Sequence, residues 1–436
     1  MRRLSSTAHL VVISPTDHGR VRIDDSELPA ARHLVGPGAV DVLRLPVEAA
    51  GGELLSAQPE QVQYRPGSDV VVRYSAQVAW NGQPARRETL AASSTIHGSH
   101  PGTIGVTATT PDGPLDVGVW RWPFDPVLVG LPQVVSPSSV AEVLRSVHGP
   151  LDPHAIRLDV VAYRPTDRAV IRVDVAGRDT VAYLKIVDPR TAPAIAERHR
   201  RLLDAGVPVP RVDALDTTLG LIVLAPLVGP TLRELIKSDT DGWPPCSEFD
   251  RLAEGFSAAP LETAANVSRL TDGALHARML ATVMPSTAVR LGELAEHFES
   301  TTAPLPDTVI HGDLHEAQII VDQSSIVGVL DIDDAGPGLA VDDRANVLAR
   351  LAYRATTDPV CSANIRAYAD RLRADSLARF DPVTLGLHTA AALTGLATGP
   401  FRLQSQGWSD TVVALLDVVD ELCMRELSAT THVHLT

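Results

Sequence analysis

Between Val309 and Gly338 the sequence reads VIHGDLHEAQIIVDQSSIVGVLDIDDAGPG, which sets His311, Asp313, His315, Glu316, Gln318, Asp331, Asp333 and Asp334 among runs of β-branched apolar residues. The apolar runs read as strands, so the polar residues fall in a tight loop and at a strand end. Acids and an amide in that arrangement suit phosphoryl transfer, where catalysis is mainly positioning and charge neutralisation. One carboxylate must stand beside an acceptor hydroxyl and take its proton, and Asp313 is the candidate. Gly312 before it permits a loop conformation that a larger residue resists. Magnesium takes hard oxygen ligands, which the Gln318 amide and the Asp331 carboxylate can supply if the segment folds as a hairpin. Asp333, two residues on, would share a strand face with Asp331 and offer a further metal ligand.

Such a site needs a positive group for the phosphates, and a repeat upstream shows where one is. VQYRPGSDVVVRY at 62–74 and VAYRPTDRAVIRV at 161–173 align without gaps, pairing Tyr64 with Tyr163, Pro66 with Pro165 and Arg73 with Arg172. Each reads as a β-hairpin, so the economical reading is two related β units. After the second hairpin DTVAYLKIVD carries a lone Lys185 in an apolar run, whereas ETLAASSTIH after the first has Ser94 where the lysine would fall. Only the second unit can then bring an ammonium to a phosphate. TAPAIAERHRRLLDAG follows as a helix, with a threonine to cap it and Gly206 to stop it, and two more strands end near Ala225 and Leu227. A strand with Lys185, a helix with Glu197 and further strands make the small lobe of a kinase-like fold, in which a Lys–Glu pair aims the ammonium at the phosphates.

From about residue 231 the pattern turns helical on both sides of the 309–338 segment. The chain of 436 residues is long enough for more than one core, and 44% apolar with 21% charged residues is a soluble globular composition. A net charge of −15 disfavours nucleic acid and anionic membrane surfaces as partners, so an anionic nucleotide must be held by local positive charge. Cys246, Cys361 and Cys423 are widely spaced and read as free thiols in a reducing compartment. The N-terminal run HLVVI reads as a strand, being too short for a signal peptide, and the expected location is cytoplasmic.

The long motif HGDLHEAQIIVD…GVLDIDDAGPG…DD resembles the catalytic segment of the aminoglycoside phosphotransferase-like small-molecule kinases over residues 155–436. The resemblance implies an α+β, bilobal protein-kinase-like fold. It would comprise an N-terminal cap at 1–130, a nucleotide-binding N-lobe at 131–229 and a mostly helical C-lobe at 230–436. It implies ATP and Mg2+ as cofactors, Asp313 as the catalytic aspartate, and Asp331 with Gln318 on the metal. It makes Lys185 the nucleotide lysine and Glu197 its helix partner, and has Asp343 and His311 brace the loop. Nucleotide contacts are expected from Arg164, Thr166, Ala225 and Leu227. Gln318 stands where the family has asparagine, and the turn RPTDR has no glycine. With Asp333 and the N-terminal region, Gln318 is similar to the actinobacterial maltokinase and glucosamine kinase branch.

The activity implied is phosphorylation of a hydroxyl on a small sugar by a monomer or homodimer, with glucosamine first and maltose next. An aminoglycoside phosphotransferase and a nucleotide-binding pseudokinase are the alternatives. RLQSQGWSDTVV supplies candidate acceptor contacts: Trp408 to stack on a sugar face, with Gln404 and Asp410 on its hydroxyls or ammonium, although Asp410 could simply cap a helix. His315 and Glu316 would contact substrate or brace the loop. Trp120 and Trp122 are expected to pack the cap against the small lobe.

Overall fold

The computed structural model describes residues 23–433 except 111–112, 179, 239–241 and 302–304, so the run HLVVI lies outside the described residues. The first β unit opens with α1 (Ala30–Val35) and α2 (Ala39–Ala49). Then come β1 (Gly52–Arg65), β2 (Asp69–Trp80), β3 (Arg86–Thr95), β4 (Ile104–Thr110) and β5 (Gly113–Arg121), an antiparallel sheet in the order β1-β2-β3-β5-β4. Alternation on β2 turns Val70, Val72, Tyr74, Ala76 and Val78 to one buried face, where α1 and α2 cover them.

The second unit follows with α3 (Pro137–His148), β6 (Ile156–Arg164), β7 (Arg168–Val175), β8 (Thr180–Ile186), α4 (Ala192–Asp204), β9 (Val212–Asp216) and β10 (Leu221–Leu224). Its sheet order, β6-β7-β8-β10-β9, repeats that of the first unit. The helical part contains α5 (Leu232–Lys237), α6 (Cys246–Ala258), α7 (Arg269–Val283) and α8 (Ala288–Ser300). Four short strands, β11 (Thr308–Ile310), β12 (Ile319–Asp322), β13 (Ser325–Val329) and β14 (Gly336–Gly338), carry the catalytic segment. The chain ends in α9 (Ala340–Thr357), α10 (Ser362–Ser376), α11 (Pro382–Ala397), α12 (Gly399–Arg402) and α13 (Trp408–Val433). Among the described residues no helix is long and apolar enough to cross a membrane.

The repeat extends to individual hydrogen bonds. In the first unit Asp25 Oδ2 accepts from Tyr64 Oη and Gly67 N–H, both at 2.8 Å, while its Oδ1 accepts from Glu27 and Leu28 N–H. In the second, Asp125 Oδ2 accepts from Tyr163 Oη at 2.9 Å and Thr166 N–H at 3.0 Å, and its Oδ1 from Val127 and Leu128 N–H. Strand register corrects the place of the missing lysine. Val170 faces Lys185 across β7 and β8, and the equivalent Val71 faces Ser93, so Ser93, not Ser94, stands at the lysine's position.

The cap touches both lobes. Trp120 Nε1 donates to Tyr163 Oη at 3.1 Å and Trp122 meets the same tyrosine edge-on, as expected from their spacing. Its apolar core, however, is continuous with the helical lobe: one cluster joins Tyr74 and Leu90 to Leu280, Phe298, Leu393 and Phe401. The second unit keeps its own core around Leu144, Ile171, Leu184 and Val223.

Candidate active site

Lys185 sits in the middle of β8 with its stem in the sheet, and its side chain is 4% exposed. A buried ammonium needs paired charge, and it finds two acids: Asp333 Oδ1 at 2.5 Å and Asp331 Oδ1 at 3.3 Å. Glu197 is not its partner. That carboxylate lies on the exposed face of α4, bonded to Arg200 and Arg201, because the buried face of the helix is taken by Ile195, His199 and Leu202. Arg198, next along, reaches the main-chain oxygen of Asp333. The helix thus engages the acidic turn through a cation, and Asp333 takes the part expected of Glu197. Nor does Thr191 cap α4; its hydroxyl donates to Asp188 O.

Asp331 and Asp333 come together by a turn and not along a strand. Asp331 is left-handed, with φ 55°, and opens a short 3-10 turn at Ile332–Asp334. Burial would raise the Asp331 carboxyl, but Lys185 and Arg168 outweigh it and hold the group down at about 2. Arg168 Nη2 donates to Asp331 Oδ2 at 2.7 Å. The Gln318 side chain is buried in the same cleft, and its Oε1 has no hydrogen-bond partner. An orphaned buried carbonyl oxygen beside an ionised carboxylate is the donor set a hard cation uses, and magnesium is ordinarily held by one or two protein oxygens plus phosphates. No group of three or more His, Cys, Asp or Glu residues able to hold a metal is present among the described residues. The protein oxygens fit magnesium through Gln318 and Asp331; Asp333, committed to Lys185, is free for a metal only if the lysine moves.

The catalytic loop is held from below. Asp343 accepts from the His311 N–H at 2.7 Å and the Gly312 N–H at 2.9 Å. Gly312 has φ 87°, and a Cβ there would stand 2.6 Å from Asp334 O, so the position requires glycine twice over. His311 Nδ1 accepts from the Asp313 N–H, which leaves Nε2 to donate to Leu330 O at 2.9 Å. Asp313 Oδ1 accepts from Asn346 Nδ2 at 3.1 Å, and Arg350 stands 3.9 Å away. Burial opposes ionisation of Asp313, yet its neighbours, His315 and the guanidiniums of Arg350 and Arg269 among them, more than offset it and lower its pKa. Asp313 is therefore a carboxylate at neutral pH. Burial and the nearby Arg350 push His315 down to about 4, so that ring is neutral there. Glu316 is a brace: buried, it accepts from Arg233 and Arg354.

A cleft of about 980 Å³ is lined by Lys185, His315, Gln318 and Asp331. Asp313 is not in its wall and lies just behind it, 3.9 Å from each of the lining residues His315 and Arg350. Val170, Tyr183, Leu224, Ala225 and Leu227 give it an apolar wall, while Arg164, Arg168, Lys185, Gln318 and Asp331 add polar atoms. Arg350, Tyr353 and Arg402 enter from the helical lobe. Thr166 does not offer its donors there: the N–H is held by Asp125, and the hydroxyl donates to Pro165 O. Gln404, Trp408 and Asp410 are likewise absent from the lining. Trp408 packs edge-on against Phe401 in the core, Gln404 bonds Phe401 O, and Asp410 is exposed in the first turn of α13. Three contributors escaped the sequence reading. Asn346 is a lone amide on the buried face of α9, which periodicity alone could have flagged; Arg168 lies in the quoted turn; Arg350 looked like one of several surface arginines.

Residues 166–380 match the phosphotransferase enzyme family, APH. No curated protein matches the chain. Among solved structures it is similar to a thermostable mutant of the aminoglycoside phosphotransferase APH(4)-Ia with ADP and hygromycin B, at 17% identity and TM-score 0.44, covering 66% of this chain and 98% of that one. A choline/ethanolamine kinase family protein from Mesorhizobium loti is 15% identical with TM-score 0.45, covering 67% and 98%. The aminoglycoside phosphotransferase APH(3'')-Id from Streptomyces rimosus with ADP and streptomycin is 18% identical with TM-score 0.37, covering 59% and 98%.

Proposed function

We propose that this chain, whose residues 166–380 match the phosphotransferase enzyme family, is an ATP-dependent phosphotransferase that transfers the γ-phosphate to a hydroxyl of a small sugar. The observation that carries the reading is that Lys185, from the second sheet, and Gln318 and Asp331, from the 309–338 segment, line one cleft, with Asp313 of the same segment beside its wall at Arg350. When bound, magnesium would draw charge from the phosphates, held by Gln318 and Asp331. Lys185 is near enough to those acids to pass to a phosphate oxygen without leaving the cleft. Asp313, ionised and fixed by Asn346, orients the acceptor hydroxyl and accepts its proton. Gln318 and Asp333 support the sugar-kinase branch. An ammonium on the acceptor has less support, because Gln404 and Asp410 do not line the cleft while Arg350 and Arg402 do. That disfavours a cationic acceptor such as glucosamine or an aminoglycoside and favours a sugar without an ammonium. A pseudokinase would have no use for an ionised, oriented Asp313.

The test is ADP release over a panel of neutral sugars, amino sugars, aminoglycosides and choline, with Asp313→Asn as control. Turnover with a sugar that drops at least about 1000-fold in the variant, about 4 kcal/mol of barrier, is expected. Nucleotide binding with no turnover on any acceptor would favour the pseudokinase.

A further inference from the structure

Although the chain carries a net charge of −15, one wall of the cleft is rich in arginine. Most of these guanidiniums have a partner. Arg233 and Arg354 share Glu316, and Arg168 holds Asp331. Two are incompletely matched. Arg350, on α9, has a buried Nε with no hydrogen-bond partner, and its one ion pair, with Asp313, is long at 3.9 Å, too long for a hydrogen bond. The side chain of Arg402, at the end of α12, has no ion-pair or hydrogen-bond partner among the described residues. Burial, and then Arg164 and Arg350, depress its pKa against the opposing pull of Asp167 and Asp313. Guanidinium donors left unused in a partly buried wall are costly, and a ligand oxyanion would satisfy them.

The triphosphate has other cations to use. Lys185 on β8 and Arg168 on β7 come from the sheet and converge on Asp331, where a metal and phosphates belong. Arg350 and Arg402 come from the helical lobe, and Arg350 stands beside Asp313, the group that meets the acceptor hydroxyl. Glu316 attracts Arg350 through space but makes no hydrogen bond to it; its Oε1 is shared by Arg233 and Arg354.

Building on the kinase reading above, we propose that Arg350 and Arg402 form an oxyanion-binding subsite for the acceptor, so that the substrate is a small sugar bearing a carboxylate or phosphate as well as the reacting hydroxyl. A planar guanidinium binds either group through paired N–H donors, and two of them facing one oxyanion would give both affinity and orientation. The anion also fixes which hydroxyl meets Asp313, because it ties the far side of the sugar to the helical wall.

The experiment uses the full chain saturated with the non-hydrolysable nucleotide AMP-PNP and magnesium, so that the triphosphate's cations are already occupied. Calorimetric titration with glucuronate, glucose 1-phosphate and glucose should give binding of at least one of the two anionic sugars and at least tenfold weaker binding of glucose. Whichever of the two binds identifies the oxyanion. In ADP-release kinetics Arg402→Gln should raise the acceptor KM at least tenfold and change the KM for ATP less than threefold, with Arg402→Lys recovering part of the loss. Glucose bound or turned over as well as its anionic derivatives would overturn the subsite while leaving the kinase intact. So would a rise in the ATP KM in Arg402→Gln equal to that for acceptor, which would assign the arginine to the γ-phosphate. Absence of turnover with every acceptor would count instead against the kinase reading. Circular dichroism of each variant separates misfolding from lost binding, and Arg350→Lys serves if Arg402→Gln does not fold.

Discussion

The two β units share strand order and the aspartate bracket beneath the first hairpin, yet only the second opens its own sheet face and lysine position onto the cleft, the first contributing Gln61 and Arg73 at its edge. Where the second has Lys185 the first has Ser93, its hydroxyl 3.0 Å from His100 Nδ1. Where the second inserts α4 between its third and fourth strands, the first has only the loop from Ile96 to Thr103. Where the second has Leu224 opposite Tyr183, the first has Trp120 opposite Ala91, and that indole closes over Val71 and Ala91 in a small buried cluster. The positions that line the nucleotide cleft in one unit are thus filled by an aromatic side chain in the other. A five-stranded frame does not by itself make a nucleotide site; an open face, a buried lysine and a helix engaging the acids do.

If that contrast is right, Lys185→Met should lower kcat/KM at least about 100-fold, about 2.7 kcal/mol, while Ser93→Ala leaves it within twofold. Calorimetry should find one nucleotide per chain. Two would break the comparison, since the closed first unit would then hold one as well.

Next in size is the bracket. Asp125 is 6% exposed and accepts four hydrogen bonds beneath the turn at 164–168, whereas Asp25 performs the same service for a turn remote from the acids. Bonds to a charged group contribute about 1.5–3 kcal/mol each, and losing part of the set loosens the turn. Asp125→Asn should raise the KM for ATP about tenfold, whereas Asp25→Asn should lower the melting temperature and leave KM alone. Equal effects on KM would mean that the two turns are not functionally distinct.

The helix that the first unit lacks also carries a pH signature. Burial, aided by Lys185, pushes His199 on α4 down to about 4, and its Nδ1 lies 2.7 Å from Pro210 O. The unfolded chain binds a proton at about 6.5 that the folded helix refuses until about 4, so stability is full above 6.5 and declines as the pH falls toward 4. The slope from this one residue reaches about 1.4 kcal/mol per pH unit, and His315 adds a similar term. A melting-temperature profile should therefore fall across that window and flatten in His199→Gln. An unchanged profile would place the acid sensitivity elsewhere.

How much of this was legible in the sequence depended on range. The hairpins, helices and the 309–338 segment follow from local periodicity, and the repeat needed only a gapless alignment. The Lys185 pairing was misjudged because the rotation of α4 about its axis is set by packing: the buried positions Ile195, His199 and Leu202 turn Glu197 to solvent. The acceptor candidates failed for a related reason, since Trp408 was apolar enough for the core and found Phe401 there. Alternation puts Asp333 on a strand face with Asp331, but β13 ends at Val329 and the left-handed Asp331 opens a 3-10 turn instead.

The smallest effect concerns the turn itself. Thr166 sits at φ 63°, where its counterpart Gly67 has φ 62°, and a threonine there costs about 1 kcal/mol or more. The cost is met by contacts that over-determine the turn. Asp125 holds the Thr166 N–H, and the first unit adds Arg73 Nη1 on Tyr163 O at 2.6 Å and Gln63 Nε2 on Pro165 O at 3.4 Å. Thr166→Gly removes the strain, so the turn should need the first unit less. In the native background Arg73→Ala should weaken AMP-PNP affinity about fivefold, and in Thr166→Gly about twofold or less, a coupling of about 0.5 kcal/mol. Strict additivity would mean that Arg73 acts on the cleft, which it also lines, and not through the turn.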